Sequence, residues 1–555
     1  MEEAKKIKFK RTRPTLHLLL IGVIFGLCIT GYLAIIWSGD LRGYDASKVV
    51  AFRDVLLLIP VFMVFFWLVR KQKFRGEMLI YTAAIFLFGI GTLLQFRLFA
   101  DPEYGARGIT KSVERREKAQ AVRLLNIKTA YDDEKKAFMF GSSEAVPKEP
   151  ADLDDKADKS FGLAYVLKST DTYIPILAFV TFIVAFLIFK DDRWLLWIQS
   201  HSFILGLATG IIMVILSIMV LIWGANGKLF GQTPWESVKI LFLLSYAGIL
   251  ADTYRHLRRT KWGLPTARHF IPFVIIAAMP VIPFFLLHDF GQLLVFFGVF
   301  LMLYVIAVRN QAKLLYAIAL VAVIFVLSIG VSKLTTGFGI PGYVQFRFHV
   351  WLDMWNPPAP DTSWWKRDFE NYVKLKKINL ESSDADEIAR LNREAWRDKT
   401  LQLSQGLFGI NEGGIEGEGL GLGYPETVPV SDSDFIYAAI SEETGFIGGL
   451  TILLALAVIV FGGTAIALGA SDMFTKLLAT GLTAFVAFQA IVNLGGVLRL
   501  LPMTGITLPF VSHGGWSLLT SFAMLGILLA ISHRNAIRNQ TMIEKAEEPI
   551  FQPVR

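Results

Sequence analysis

A single cysteine, Cys28, serves the whole chain of 555 residues, which excludes an intramolecular disulfide and a cysteine metal cluster. Charge is scarce as well. Only 18% of residues are Asp, Glu, Lys or Arg, against 54% hydrophobic, and a soluble core of this length needs no such apolar surplus. No internal repeat of the kind that marks many transporters is present. The glycine-dense segment 411–423, NEGGIEGEGLGLG, lacks the lysine and hydroxyl of a phosphate-binding P-loop, and reads as a flexible, closely approached loop. The net charge of +8 is spread over short segments between apolar runs. It forms no continuous basic face, so nucleic acid is not the expected partner and the cations are topology signals.

What the chain has in abundance is apolar runs of about 15 to 22 residues, long enough to cross about 30 Å of hydrocarbon. They fall at 16–37, 55–69, 78–96, 173–189, 203–223, 234–251, 270–287, 293–308, 314–331, 435–468, 477–498 and 516–531. The fold class predicted is an all-α, polytopic helical membrane protein of about twelve transmembrane helices. The first run is too long for a typical signal h-region and has no small-residue cleavage site after WSGD, so it reads as a retained helix. Basic residues cluster in the N-terminal arm, at 70–75 (RKQKFR), at 255–268 and around Arg534 and Arg538. All fall on one side when twelve spans alternate, which makes that side, and both termini, cytoplasmic. The same alternation sends two long polar segments outside, 97–171 and 332–434. The second holds the aromatic-rich WLDMWNPPAPDTSWW and an amphipathic run at 384–398, and loops of this length are usually functional or disordered.

Four constellations carry ionisable groups into or beside the apolar runs. In Pro234-Trp235-Glu236-Ser237-Val238-Lys239 a carboxylate and an ammonium stand three residues apart on one helix face, as an internal ion pair or a functional one. Asp289, in HDFG at a tight outer turn, is placed either to face Lys239 or to cap the following helix. The breaker-rich NLGGVLRLLPMTGITLPFVSHGGWS, 493–517, is tolerated in a membrane region where backbone lines a cavity or packs in protein. Finally, SDSDFIYAAISEETG, 431–445, runs an acid cluster into a membrane helix. There Asp432 or Asp434 either caps the helix or acts as a base at the lipid surface.

Taken together, these motifs resemble the SEDS family (shape, elongation, division and sporulation), the RodA and FtsW peptidoglycan polymerases. PWESVK is similar to the family's P-S-E-x-x-K and HDFGQLL to its P-D-x-G-T-x-L. QLSQGLFGINEGGIEGEGLGLG matches the glycine-rich segment. SDFIYAAISEETG is similar to T-D-F-I-F-A-x-x-x-E-E-x-G, and QAIVNLGGVLRLLPMTGITLPFVSHGGWS to the family's Q-x-x-x-N-x-G and P-x-T-G-x-x-L-P-F-x-S-x-G-G-S-S signature. The resemblance covers about 78–531.

The resemblance implies a glycosyltransferase that polymerises lipid II at the outer face of the cytoplasmic membrane, for elongation or division. It puts the catalytic carboxylate on Asp434, with Glu236, Lys239, Asp289, Arg347, Glu426, Asp432, Asn493 and Ser512 as supporting or substrate-binding residues. Arg347, Lys239 and Arg499 are its candidates for the leaving diphosphate. No protein metal site and no definite cofactor is implied, and a divalent cation (Mg or Mn) could share the role at the diphosphate. The implied partner is a single-pass class B penicillin-binding protein, a transpeptidase, beside lipid II and the membrane lipids. The family core has ten spans, so 1–77 reads as a basic arm with two added helices, 78–533 as the core and 534–555 as a cytoplasmic tail. Departures from the family pattern fall on substrate contacts: Asp432 stands where histidine is common, which points to like-charge coupling with Asp434 or a share in its role. Glu418, Gln292, Arg499, His513 and Trp516 also depart, and 358–399 reads as an insertion. Two other function classes fit the residues: a lipid II flippase with a polar path along Glu236, Lys239 and Asp289, and a scaffold that only recruits an assembly.

Overall fold

The computed structural model describes residues 14–42, 46–100, 170–223, 236, 238–258, 260–261, 264–265, 289–308, 342–376, 378, 384–512 and 514–547. The described elements begin with α1 (Pro14–Arg42), α2 (Lys48–Leu57) and α3 (Ile59–Phe66), which runs into a π-helical turn, Trp67–Lys71. Next come α4 (Leu79–Ala100), α5 (Thr170–Lys190), α6 (Asp192–Ser200), α7 (Ser202–Trp223) and α8 (Val238–Arg258). After a two-residue antiparallel ladder, β1 (Thr260–Lys261) with β2 (Leu264–Pro265), the chain continues as α9 (Phe290–Val308), α10 (Gly342–Leu352), α11 (Lys366–Leu375) and α12 (Ala385–Gly413). It closes with α13 (Ile436–Gly469), α14 (Met473–Val497) and α15 (Gly515–Glu547).

Eight described helical segments are long and apolar enough to cross a membrane, and the α6–α7 pair, bent by 73°, makes a ninth if it counts as one span. Ten of the twelve expected runs are thus helical, α8 among them, although its ionisable and polar groups leave it outside the eight. The runs at 270–287 and 314–331, and residues 101–169 of the polar segment expected at 97–171, lie outside the described residues. Helix α4 extends to Ala100, so Arg97 belongs to a helix and not to the polar segment in which the sequence reading placed it.

The core forms where α13 and α14 pack together, α14 against α8 and α9, α4 against α13 and α1, and α15 against α5. α1 presents Leu16, Leu19, Val23, Leu27, Leu33, Trp37 and Leu41 outward, the all-round apolarity of a helix that faces lipid. Polar contacts define the two ends of the bundle. At one end Lys190 Nζ donates to Gln72 Oε1 at 2.6 Å, the Glu77 amide donates to Ser532 Oγ at 2.8 Å, and Arg534 pairs with Asp192. Gln199 joins Asp252 at 2.8 Å at the same end. The described basic segments around 70–75, 252–258 and 534–538 therefore share one end, as alternating spans require. α4 leads from that end to Arg97 at the other.

Candidate active site

Residues 431–435 form consecutive turns, and α13 begins only at Ile436. Its N-cap position is taken by Phe435, so neither Asp432 nor Asp434 is the N-cap residue itself. Instead the turn is gripped through its backbone. Asn493 Nδ2, on α14, donates to the Asp434 carbonyl at 2.8 Å and to the Ile506 carbonyl at 2.6 Å. Ser512 Oγ donates to the Ser433 carbonyl at 2.6 Å and accepts from the Leu508 amide at 2.7 Å. Val430 at φ 59° closes the turn from the other side, taking bonds from Ser433 N and Phe435 N. The Asp434 side chain is partly exposed while Asp432 is buried. A Cβ on Gly505 would lie 3.4 Å from Asp434 Oδ2, and Arg347 Nη1 donates to the neighbouring Thr504 carbonyl at 3.4 Å. Asp434 from one motif and Asn493 and Ser512 from another thus meet around one turn, with Arg347 bound to the adjoining 504–505 segment.

Beside it lies a second cluster. Arg97, fully buried, directs Nε to Glu443 Oε1 at 2.8 Å and Nη2 to the Gly423 carbonyl at 2.9 Å and Glu426 Oε2 at 3.3 Å. Glu442, also buried, accepts from the Tyr424 amide at 2.8 Å. The glycine-rich loop wraps this cluster. Glu418 N and Gly419 N donate to the carbonyls of Glu442 and Glu443, both at 2.9 Å, and Phe446 N returns a bond to the Gly414 carbonyl at 2.9 Å. At Gly445, φ 67° and ψ −170° break α13, and a Cβ there would strike the Ile415 carbonyl. The loop is closely approached, as its composition implied, because two backbones interlock at the break. The remaining helix, 446–469, is by itself long enough to cross about 30 Å of hydrocarbon. Glu426 was expected at the site. Arg97, Glu442 and Glu443 were not singled out; the only available signal was an arginine ending an apolar run opposite the E-E pair.

The third predicted group forms a buried polar chain. Lys239 Nζ donates to Glu236 Oε2 at 2.7 Å and to Gln489 Oε1 at 3.2 Å, and Gln292 Nε2 donates to Glu236 Oε1 at 2.7 Å. Gln489 Nε2 donates in turn to the Thr507 carbonyl at 3.0 Å. Since Gln489 and Asn493 stand one turn apart on α14, this chain and the Asp434 turn are bound to the same 506–507 segment. Asp289 Oδ1 accepts from the Gln292 amide at 3.1 Å, the geometry of a helix cap for α9.

Arg499 sits at φ 57° and donates to the Trp351 and Leu352 carbonyls, each at 3.0 Å, so it closes the C-terminus of α10. The aromatic-rich segment is packed: Trp365 Nε1 donates to Asn392 Oδ1 and Trp396 Nε1 to the Met354 carbonyl, both at 2.7 Å. The amphipathic run at 384–398 lies within α12, whose N-cap Asp384 accepts from Glu387 N at 2.8 Å. α12 continues into the glycine-rich loop. Glu418 is exposed, and His513 lies outside the described residues.

Sequence comparison gives the site a context. The family model for the FtsW, RodA and SpoVE cell cycle proteins matches residues 386–537. Peptidoglycan glycosyltransferase RodA of Mycobacterium tuberculosis is 29% identical over 407 residues, 69% of this chain and 74% of that protein. Stage V sporulation protein E of Bacillus subtilis is 42% identical over 142 residues, 25% of this chain and 39% of that one. Among solved structures, a chain of a peptidoglycan synthase complex described as coordinating polymerization and crosslinking is 21% identical, with coverage of 65% of this chain and 97% of that one and a TM-score of 0.38.

Proposed function

The chain belongs to the SEDS family of peptidoglycan glycosyltransferases, and on that premise we propose that Asp434 is the general base of lipid II polymerisation. The observation that carries this assignment is the turn 431–435. It carries a partly exposed carboxylate beside Gly505, on a turn whose backbone Asn493 and Ser512 grip. A sugar hydroxyl is a poor nucleophile at neutral pH, and a positioned base contributes about 10²- to 10⁴-fold. The acceptor GlcNAc 4-hydroxyl attacks the anomeric carbon of a lipid-linked MurNAc. Its proton passes to Asp434, the new glycosidic C–O bond forms, and the bond from that carbon to undecaprenyl diphosphate breaks.

Developing charge on the diphosphate calls for a cation. Arg347, bound beside Gly505, is the candidate we favour. Lys239 is buried among Glu236 and Gln489 and Arg499 closes α10, which supports structural roles for both. No group of three or more His, Cys, Asp or Glu suited to a metal ion occurs among the described residues; we place a Mg or Mn ion, where one takes part, on the substrate diphosphate. Both substrates keep isoprenoid tails in the bilayer, so the site belongs at an interface. We propose that the Asp434 end of this multi-pass protein faces outward and the basic end faces the cytoplasm. We further propose a single-pass class B penicillin-binding protein as partner, because new glycan strands must be crosslinked.

Purified protein incubated with lipid II tests the assignment. Asp434→Ala is expected to lose about 10²- to 10⁴-fold in rate, and Asp432→Ala less, as suits a buried neighbour. Wild-type polymerisation by Asp434→Ala would overturn it. Lipid translocation in liposomes that Glu236→Ala abolishes and Asp434→Ala spares would favour a flippase instead.

A further inference from the structure

The N-terminal helix α1 touches the glycine-rich loop directly. Gly421 sits at φ 81°, and a Cβ on it would strike Ser38 Oγ and lie 2.8 Å from Ser38 Cβ and 3.4 Å from Ile35 Cα. Ser38 and Ile35 are buried there, and Ser38 Oγ donates to the Ile35 carbonyl at 2.9 Å. The hydroxyl is thus satisfied within α1, and what Ser38 offers the loop is a small surface. Gly421 in turn gives a backbone hydrogen bond to Glu443, the carboxylate held by Arg97.

The same face of α1 is fitted to α4, the helix that carries Arg97. A Cβ on Gly31 would meet Leu93 Cδ2 at 2.6 Å, one on Gly89 would meet Cys28 Sγ at 2.9 Å, and the rings of Tyr32 and Phe96 meet edge-on at 5.2 Å. α1 therefore bridges both supports of the buried pair: α4, which presents the guanidinium, and the loop, whose Gly421 amide and Gly423 carbonyl hold Glu443 and Arg97. Arg97 also holds Glu426, and from Glu426 the chain runs through 427–430 into the turn that ends at Asp434.

We infer that α1 is a built-in positioning clamp for the polymerase loop, with Ser38 as the positioning residue that seats Gly421 and, through Glu443, Arg97 and Glu426, fixes the Asp434 turn. The inference rests on the assignment of Asp434 as the base, and its structural half can be tested separately. A side chain larger than serine at position 38 lifts Gly421 off its seat. Small displacements of a catalytic group cost rate steeply.

The test uses the full-length protein in lipid nanodiscs, comparing wild type with Ser38→Val, Ser38→Leu and Gly421→Ala. Leu33→Trp, on the exposed side of α1, is the control for bulk alone. Hydrogen exchange reads the clamp, and lipid II polymerisation reads its consequence. The expected result is exchange in peptides covering 413–428 about tenfold faster, with peptides of α14 unchanged. kcat should fall about ten- to hundredfold and KM stay within about twofold, more for leucine than for valine, with Leu33→Trp like wild type. Ser38→Val guards against a leucine variant that fails to fold. Unchanged exchange at 413–428 in Ser38→Val and Gly421→Ala overturns the clamp whatever the activity. Faster exchange with wild-type kcat overturns the coupling to the site. An active Asp434→Ala assayed alongside would overturn the base assignment and leave the exchange result standing.

Discussion

Arg97 shows what one residue does when no water is near. Its guanidinium fork is matched by Glu443, Glu426 and a backbone carbonyl, an arrangement lysine does not reproduce because its charge is a point and not a plane. Desolvating such a pair is costly, so its net contribution to stability is small, whereas removing one partner strands a buried charge. Arg97→Met is therefore expected to destabilise the protein by about 3–5 kcal/mol, measured by reversible denaturation in detergent micelles. Arg97→Met combined with Glu443→Leu should recover a large part of that loss. If the double substitution is as unstable as the two single ones added together, the pair is not coupled. Sequence reading reached Glu426 and passed over Arg97 for a physical reason. The contact joins positions 346 apart, and local pattern carries no information about such a pairing. Asp434 was legible by resemblance, but the start of the helix was not, since an aspartate before an apolar run looks like its N-cap until the N-cap is seen at Phe435.

α13 shows the corresponding limit at the scale of the element. Its apolar run predicts one long helix, yet the break at Gly445 divides it into a first piece with Glu442 and Glu443 and a second, 446–469, long enough to span on its own. A glycine in a helical pattern is ambiguous, and only the approach of the 413–417 backbone reveals why this one is needed. Its ψ of −170° with positive φ lies where non-glycine residues are strained by about 1–3 kcal/mol. Gly445→Ala should add a clash with the Ile415 carbonyl and unseat the loop. The expected outcome is a lower midpoint of thermal unfolding together with reduced polymerisation. Gly462→Ala, where a Cβ meets the Ile80 side chain at 2.6 Å, should affect activity less, because flexible atoms can yield. Equal losses from both would mean that the break has no special link to the site.

For the whole molecule, the bundle was the most legible feature, because the length of an apolar run is a local property and hydrocarbon thickness converts it directly into a span. The arrangement of spans adds what composition cannot: the basic segments gather at one end through Lys190–Gln72, Arg534–Asp192 and Gln199–Asp252, while Asp434 and Arg97 lie toward the other. Charge bias is the reason we propose that the basic end lies inside. The scarcity of cysteine makes this orientation testable, since Cys28 is buried at 2% exposure and the wild-type chain serves as the blank. Glu416→Cys, exposed on the glycine-rich loop, and Thr541→Cys, exposed near the end of α15, mark the two ends. A membrane-impermeant maleimide added to intact cells, with any outer membrane made permeable, should label Glu416→Cys and spare Thr541→Cys until the cytoplasmic membrane is opened. The reverse pattern would turn the bundle over and put the Asp434 turn in the cytoplasm, where a strand-forming polymerase has no wall to extend.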